Sequence, residues 1–208
     1  EIVIGLDPLG RMFAVLICLI WLVVAVFAYE YMNHEYDRQR FFGFYIMTLS
    51  AMMGVCFSAN LVTLYLFYEM MTILSLALVV HIGTPNAFDA GMRYLGFSVL
   101  GAGMGLWGMF TLADYCTTDQ FTPGGVLDAV AAAGDRELLQ VVLLVMLLGF
   151  GCTAGMFPLH AWLPAAHPVA PVPASAVLSG LITKMGVLAM IRVTYYIFGW
   201  SFVRGSWV

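Results

Sequence analysis

Long apolar runs separated by short polar stretches dominate the pattern of this chain. A bilayer crossing needs about 20 mostly apolar residues in a helix. Polar stretches near residues 30–40, 83–89 and 114–137 divide the runs into helix-sized pieces. The pattern predicts an all-α integral membrane protein with six transmembrane helices, at residues 12–29, 41–58, 61–82, 90–113, from about 137 onward, and 173–198.

Proline, glycine and asparagine mark the turns between these predicted helices. Asn60 indicates a tight turn before the third helix, and Thr84-Pro85-Asn86 indicates a turn before the fourth. Small residues let two membrane helices approach closely. The fourth helix is rich in them, which predicts a tight helix contact through Gly96, Gly101, Gly103, Gly105 and Gly108.

The fifth helix is expected to be broken by proline near residues 155–170. Proline removes a helical hydrogen bond and clashes with the preceding turn. Irregular backbone at membrane depth is tolerated only where protein or water surrounds it. The break therefore indicates either an ion path, as in transporters with discontinuous helices, or a loop at the membrane surface. The responsible residues are Gly155, Pro158, Pro164, Pro168, Pro171 and Pro173.

The composition is typical of a protein whose outer surface contacts lipid. Hydrophobic residues make up 62% and charged residues 10% of the chain, whereas soluble domains carry about 25% charged residues. The net charge of −4 and the lack of a basic run argue against nucleic acid as a partner. The cysteines are widely spaced without a CxxC pair, so we predict no disulfide and no metal site at Cys18, Cys56, Cys116 and Cys152.

Two charges lie inside apolar segments. Glu69 is the only charged residue between Arg40 and Asp89, and Lys184, the only lysine, is alone between Glu137 and Arg192. An ionisable group at the bilayer centre costs at least about 2.5 kcal/mol. We therefore expect a shared protein interior in which Glu69 and Lys184 bias each other's protonation. That arrangement is either a proton relay or a permanent ion pair that holds two helices together.

Other polar residues near the break are candidates for the same path. His160 and His167 could pass protons near neutral pH, although a structural hydrogen bond is an equally common role. Thr153 and the hydroxyls at 175, 179 and 183 could order water, since Ser175, Ser179 and Thr183 share one helix face. Arg93 and Arg192 lie near helix ends and are expected to snorkel to the interface.

Residues 157–192, FPLHAWLPAAHPVAPVPASAVLSGLITKMGVLAMIR, resemble the signature of the antiporter-like, proton-conducting membrane subunit family. This family comprises the large membrane subunits of respiratory complex I, the D- and A-type subunits of multisubunit (Mrp) sodium/proton antiporters, and subunits of membrane-bound hydrogenases. The resemblance extends to FYEMM at 67–71, LDPLGRMF at 6–13 and AGMRYLGFSVLGA at 90–102. It therefore covers nearly the whole chain.

The resemblance implies a domain organisation. Family members typically have fourteen helices with two inverted five-helix repeats, and this chain is similar to the third through eighth helices. Residues 1–40 would be a leading segment with one helix, 41–200 one five-helix repeat, and 201–208 the start of the next loop. Because the chain opens at Glu1, we expect an internal fragment whose second repeat lies outside it. The arginine counts leave the orientation open; the resemblance places Arg38, Arg40 and Arg93 on the cytoplasmic side.

The resemblance also implies site residues. The family's half-channel uses a glutamate, a lysine in the broken helix, and a lysine or histidine in the next helix. Glu69 matches the first position and Lys184 the third. At the second position, five residues before Pro158, this chain has Thr153, which cannot carry a proton as a cation. The relay would then run through Glu69, His160, His167 and Lys184, with Thr153, Ser179 and Thr183 ordering water.

The implied function is proton translocation, with coupled sodium left open, in a multi-pass subunit of a prokaryotic cytoplasmic membrane. Its expected partners are lipid and other membrane subunits of an antiporter, complex I-like or hydrogenase assembly. The chain carries no redox motif, and no cofactor or metal is expected; electron chemistry would belong to partner subunits. A non-conducting scaffold subunit is the alternative, favoured by Thr153. A solute carrier with a midplane site is a third reading, although the sequence indicates no ligand.

Overall fold

A computed structural model describes all residues from 1 to 208 as a bundle of α-helices without β-strands. Three isolated β-bridges join loop residues. Six helices are long and three are short. Their bounds are α1 Pro8–Tyr31, α2 Arg38–Cys56, α3 Leu61–Val79, α4 Pro85–Leu112, α5 Ala129–Gly134, α6 Arg136–Ala154, α7 Leu163–Ala166, α8 Val172–Phe198 and α9 Trp200–Arg204.

Side-chain caps fix where several helices begin. The Asn60 carboxamide oxygen accepts the backbone N–H of Thr63 at 2.8 Å, which starts α3 directly after the predicted turn. The Thr84 hydroxyl likewise accepts the N–H of Ala87 at 3.2 Å. Because Pro85 fits the first turn of a helix, α4 begins there, earlier than the predicted residue 90.

Five of the six long helices are long and apolar enough to cross a membrane: α1 (as Pro8–His34), α3, α4, α6 and α8. The remaining one, α2, is as long as α3 at 19 residues. It begins at Arg38, includes Arg40, and is less apolar than the other five. The all-α membrane fold predicted from the sequence is confirmed, with a helix at each of the six predicted places.

The long helices pack mostly in chain order. α3 lies between α2 and α4, α4 packs on α6, and α6 packs on the second half of α8, while α1 contacts α2 and the start of α8. Helices α4 and α6 pack so closely that a Cβ added at Gly101 would lie 2.5 Å from the Gly149 carbonyl oxygen. The predicted tight contact is confirmed for Gly101, Gly105 and Gly108, whereas Gly96 and Gly103 face open space.

The predicted break follows α6 directly. Gly155 has a left-handed backbone with φ of 76°, and residues 155–171 form turns around the short helix α7. Trp162 is 1% exposed and its indole N–H donates to the Cys152 carbonyl oxygen at 2.8 Å. The broken segment therefore folds back against the end of α6 and buries Trp162, while other residues such as Phe157 and Pro158 stay exposed.

Helix α8 is irregular in two places. Its α-helical parts, Val172–Val177 and Thr183–Arg192, alternate with π-helical parts, Leu178–Ile182 and Val193–Phe198. A π-segment inserts a residue into the helical repeat and often occurs at functional sites. The part that carries Lys184 thus lies between two irregular segments.

Candidate functional site

Lys184 lies on the exposed face of α8. Its ammonium group donates to the Ser179 carbonyl oxygen at 2.7 Å and to the Thr183 hydroxyl at 3.1 Å. Met185, Gly186 and Leu188 on the same helix are buried, and Val187 is exposed beside Lys184. The expectation that Lys184 lies in the interior of this chain is therefore corrected: the packed face of α8 turns the lysine outward.

Glu69 occupies the middle of α3 and is partly buried. It forms no ion pair with Lys184, since the salt bridges of the chain are Arg40–Asp37 and Arg192–Asp7. The expected direct Glu69–Lys184 pair is absent. The physical reason is helix rotation, because α3 packs against the first part of α8 while Lys184 projects from the unpacked face of its second part.

A row of polar groups joins the broken segment to Lys184. The ring Nδ1 of His167 lies 2.6 Å from the Ser175 hydroxyl. One turn on, the Ser179 hydroxyl donates to the Ser175 carbonyl oxygen at 3.1 Å, and the Thr183 hydroxyl donates to the Ser179 carbonyl oxygen at 2.8 Å. The structure therefore brings His167, Ser175, Ser179, Thr183 and Lys184 together on one side of α8, which we call the α8 polar row.

His160 and Thr153 form no hydrogen bond with the α8 polar row. The Nδ1 atom of His160 is buried without a hydrogen-bond partner, and its ring lies 5.8 Å from that of Phe157. Thr153 is 3% exposed near the end of α6. The Tyr68 hydroxyl of α3 donates to the Phe150 carbonyl oxygen, one turn before Thr153 in α6. Thr153 thus lies near the contact between α3 and α6.

Buried hydroxyl groups line the contact of α3 with α4 and α6, close to Glu69. The Ser75 and Tyr94 hydroxyl oxygens are 2.8 Å apart, and the Tyr68 hydroxyl donates to the Phe150 carbonyl oxygen at 3.4 Å. We call this set the hydroxyl cluster: Tyr68, Thr72, Ser75, Tyr94, Ser98 and Thr153. Sequence reasoning singled out only Thr153, although the spacing of Tyr68, Thr72 and Ser75 places them on one helix face.

Arg192 forms a buried ion pair that the sequence reasoning missed. Its guanidinium group is fully buried and donates to Asp7 at 2.9 Å, to the Cys56 carbonyl oxygen at 2.7 Å and to the Val55 carbonyl oxygen at 2.8 Å, with a further bond to the Ser58 hydroxyl. The expected snorkelling of Arg192 is wrong, because Asp7 and the end of α2 bind its two terminal guanidinium nitrogens inside the protein, although its Nε has no hydrogen-bond partner. Arg93, in contrast, is exposed.

Comparison with known proteins identifies the group to which this arrangement belongs. The family model described as "NADH:quinone oxidoreductase/Mrp antiporter, TM" matches residues 58–207. The model described as "NADH-Ubiquinone oxidoreductase (complex I), chain 5 N-terminus" matches residues 1–42. Together these matches cover both the hydroxyl cluster and the α8 polar row.

Individual relatives agree with the family models. The chain is 26% identical to the D-type subunit of a Na⁺/H⁺ antiporter from Bacillus subtilis over 95% of its own length and 40% of that protein. It is 28% identical to hydrogenase-4 component B of Escherichia coli over 93% of its length and 28% of that protein. Its fold is similar to a chain of respiratory complex I from Thermus thermophilus, with a TM-score of 0.75 and 18% identity over 90% of this chain and 40% of that one.

The chain therefore spans well under half the length of each of these proteins. The resemblance inferred from residues 157–192 is confirmed. The chain belongs to the NADH:quinone oxidoreductase/Mrp antiporter membrane-subunit family.

Proposed function

We propose that this chain is part of a membrane subunit that translocates protons within a multisubunit antiporter, complex I-like or hydrogenase assembly. The observation that carries the proposal is the α8 polar row, which leads from His167 at the broken segment to the ammonium group of Lys184. Family membership supports the same function. The setting would be the cytoplasmic membrane of a prokaryote, and residues 41–200 would form one five-helix repeat.

The geometry changes how the relay would work. Glu69 and Lys184 make no direct contact, so a proton would pass between them through water and the polar groups near the broken segment. His160, with a buried and unpartnered ring nitrogen, is suited to bond such a water. Lys184 would hold its proton against the Ser179 carbonyl and the Thr183 hydroxyl and release it when its surroundings change.

A non-conducting scaffold subunit is the second candidate. The buried Thr153 favours it, because a threonine cannot hold a transferable positive charge as a lysine at the end of α6 would. Replacing Thr153 by lysine separates the two candidates. The substitution should raise proton transport if the relay operates and should leave it unchanged in a scaffold.

The proposal is tested by proton uptake in inside-out vesicles that contain the full native complex, with Lys184→Ala compared with wild type. Val187→Ala is the matched control, since Val187 is exposed on the same face of α8. We expect uptake to collapse for Lys184→Ala alone while the complex stays assembled. Unchanged proton uptake by Lys184→Ala in an assembled complex would refute the relay and support the scaffold function. Repeating the measurement with and without sodium determines whether sodium is coupled.

A further inference from the structure

One histidine ties the turn between α1 and α2 to the end of α3. His81 lies just after the last residue of α3 and is 6% exposed. Its ring Nε2 lies 3.2 Å from the Tyr36 carbonyl oxygen in the turn. Its backbone carbonyl oxygen accepts a hydrogen bond from the guanidinium group of Arg40, in the first turn of α2. The side chain and the backbone of one residue thus hold both sides of this turn, and we call the two contacts the His81 clasp.

The clasp holds a turn that is strained and otherwise weakly fixed. Asp37, its last residue, has a left-handed backbone with φ of 53°. Such a conformation is uncommon for residues other than glycine and persists only where surrounding contacts hold it. The Tyr36 side chain is almost fully exposed, and the ion pair of Asp37 with Arg40 is exposed on both sides, so it contributes little. The His81 side chain is therefore the buried group that keeps the turn in place.

The clasp also determines which nitrogen of the His81 ring carries the hydrogen. A carbonyl oxygen only accepts, so Nε2 carries the hydrogen and donates it to Tyr36. In the neutral ring Nδ1 is then a bare acceptor, and it is buried without a hydrogen-bond partner. The fully buried Phe41 lies beside it, with the two ring centres 5.3 Å apart. A proton added to Nδ1 in the closed clasp would be a buried donor without an acceptor, which is costly.

We propose that the His81 clasp is a pH-sensitive contact that is closed while the His81 ring is neutral, and that protonation of Nδ1 in acidic solution opens it and releases the turn at Tyr36 and Asp37. Opening lets water bond the new N–H group. Because α3 carries Glu69 in its middle, the clasp lets the acidity of the solution at this end of the bundle loosen the end of that helix. The proposal does not depend on the proposed proton translocation.

The charged groups around the ring are consistent with opening in acid. Arg40 of α2 opposes a second positive charge, whereas Glu35 and Asp37 of the turn favour it, and α3 adds only the distant Glu69. Burial is the largest influence, and the sum lowers the pKa of His81 below its ordinary 6.5. The closed clasp therefore binds fewer protons than the open one. Closing is favoured above pH 6.5 and weakens progressively as the pH falls below that value.

The experiment measures hydrogen exchange of the full native complex by mass spectrometry, on peptides that contain residues 32–40. Rates at pH 7.5 and pH 5.5 are each divided by the intrinsic rate at the same pH, which gives the protection of the turn. The variants are His81→Gln and His81→Phe. Glutamine offers an amide N–H donor in place of Nε2 but does not titrate, whereas phenylalanine offers no donor. His34→Gln is the matched control, because His34 is an exposed histidine of the same turn.

We expect the wild-type turn to lose protection in acid, by up to about tenfold at pH 5.5, one pH unit below the ordinary pKa of histidine. His34→Gln should behave as the wild type does. The turn should stay protected at both pH values in His81→Gln and should be unprotected at both in His81→Phe. Equal wild-type protection at the two pH values, or a loss in acid that persists in His81→Gln, would overturn the proposal. Full protection in His81→Phe would show that the clasp does not hold the turn. Proton uptake is not measured, so either result leaves the proposed function as it stands.

Discussion

Replacement of Arg192 by methionine should open the contact between α8 and the end of α2. The guanidinium group is fully buried and donates to Asp7 and to two carbonyl oxygens of α2. Removing one partner of a buried ion pair costs about 3–5 kcal/mol. The Asp7 side chain is 26% exposed and its Oδ1 keeps the hydrogen bond from the Gly10 N–H, which favours the lower end, about 3 kcal/mol.

The loss of stability at the contact between α8 and α2 can be measured through the alkylation rate of Cys56. The Cys56 thiol is fully buried, and the backbone carbonyl oxygen of Cys56 accepts a hydrogen bond from Arg192. If labelling requires local opening, a loss of about 3 kcal/mol raises the open fraction roughly 100-fold, at 1.4 kcal/mol per factor of ten. Peptide mass spectrometry after maleimide treatment of the full complex would give the rate, with the buried Cys152 as an internal reference.

Arg136→Met is the matched control for Arg192→Met. Arg136 is exposed and makes one hydrogen bond, to the Gly205 carbonyl oxygen at 2.7 Å. Surface substitutions of this kind usually change stability by less than about 0.5 kcal/mol, so the Cys56 rate should change only slightly. Equal Cys56 rates in the two variants would refute the reasoning, because the buried pair would then hold the helices no better than a surface contact.

Two further pairs of variants test the packing and the loops. Gly101→Ala should destabilise the complex by about 1–3 kcal/mol in thermal unfolding, because its Cβ would lie 2.5 Å from the Gly149 carbonyl oxygen. Gly103→Ala should be neutral or stabilising, since nothing lies within 4 Å of a Cβ at that position. Equal losses of stability in the two variants would contradict the close contact of α4 with α6. Burial lowers the pKa of His81 below its ordinary 6.5, so the unfolded state takes up the proton first and stability should fall as the pH drops below that value. His81→Phe should weaken this pH dependence of the melting temperature, whereas His34→Phe, at an exposed histidine, should not. If the pH dependence is unchanged in His81→Phe, it arises from other groups.

The sequence alone determined the class of protein and the position of each long helix. Apolar length and proline content act locally, so the break after α6 could be placed before any tertiary contact was known. The shared face of Ser175, Ser179 and Thr183 followed in the same way, because helical periodicity fixes which residues lie above one another. The family signature pointed to Glu69 and Lys184 as candidates.

Only the tertiary structure decided how those residues meet. The partners Asp7 and Arg192 are 185 positions apart in the chain, and no local pattern indicates that one neutralises the other. The separation of Glu69 from Lys184 and the meeting of Ser75 with Tyr94 likewise depend on how each helix is rotated when it packs. The glycine contacts between α4 and α6 and the buried Arg192–Asp7 pair likewise join groups from distant parts of the chain.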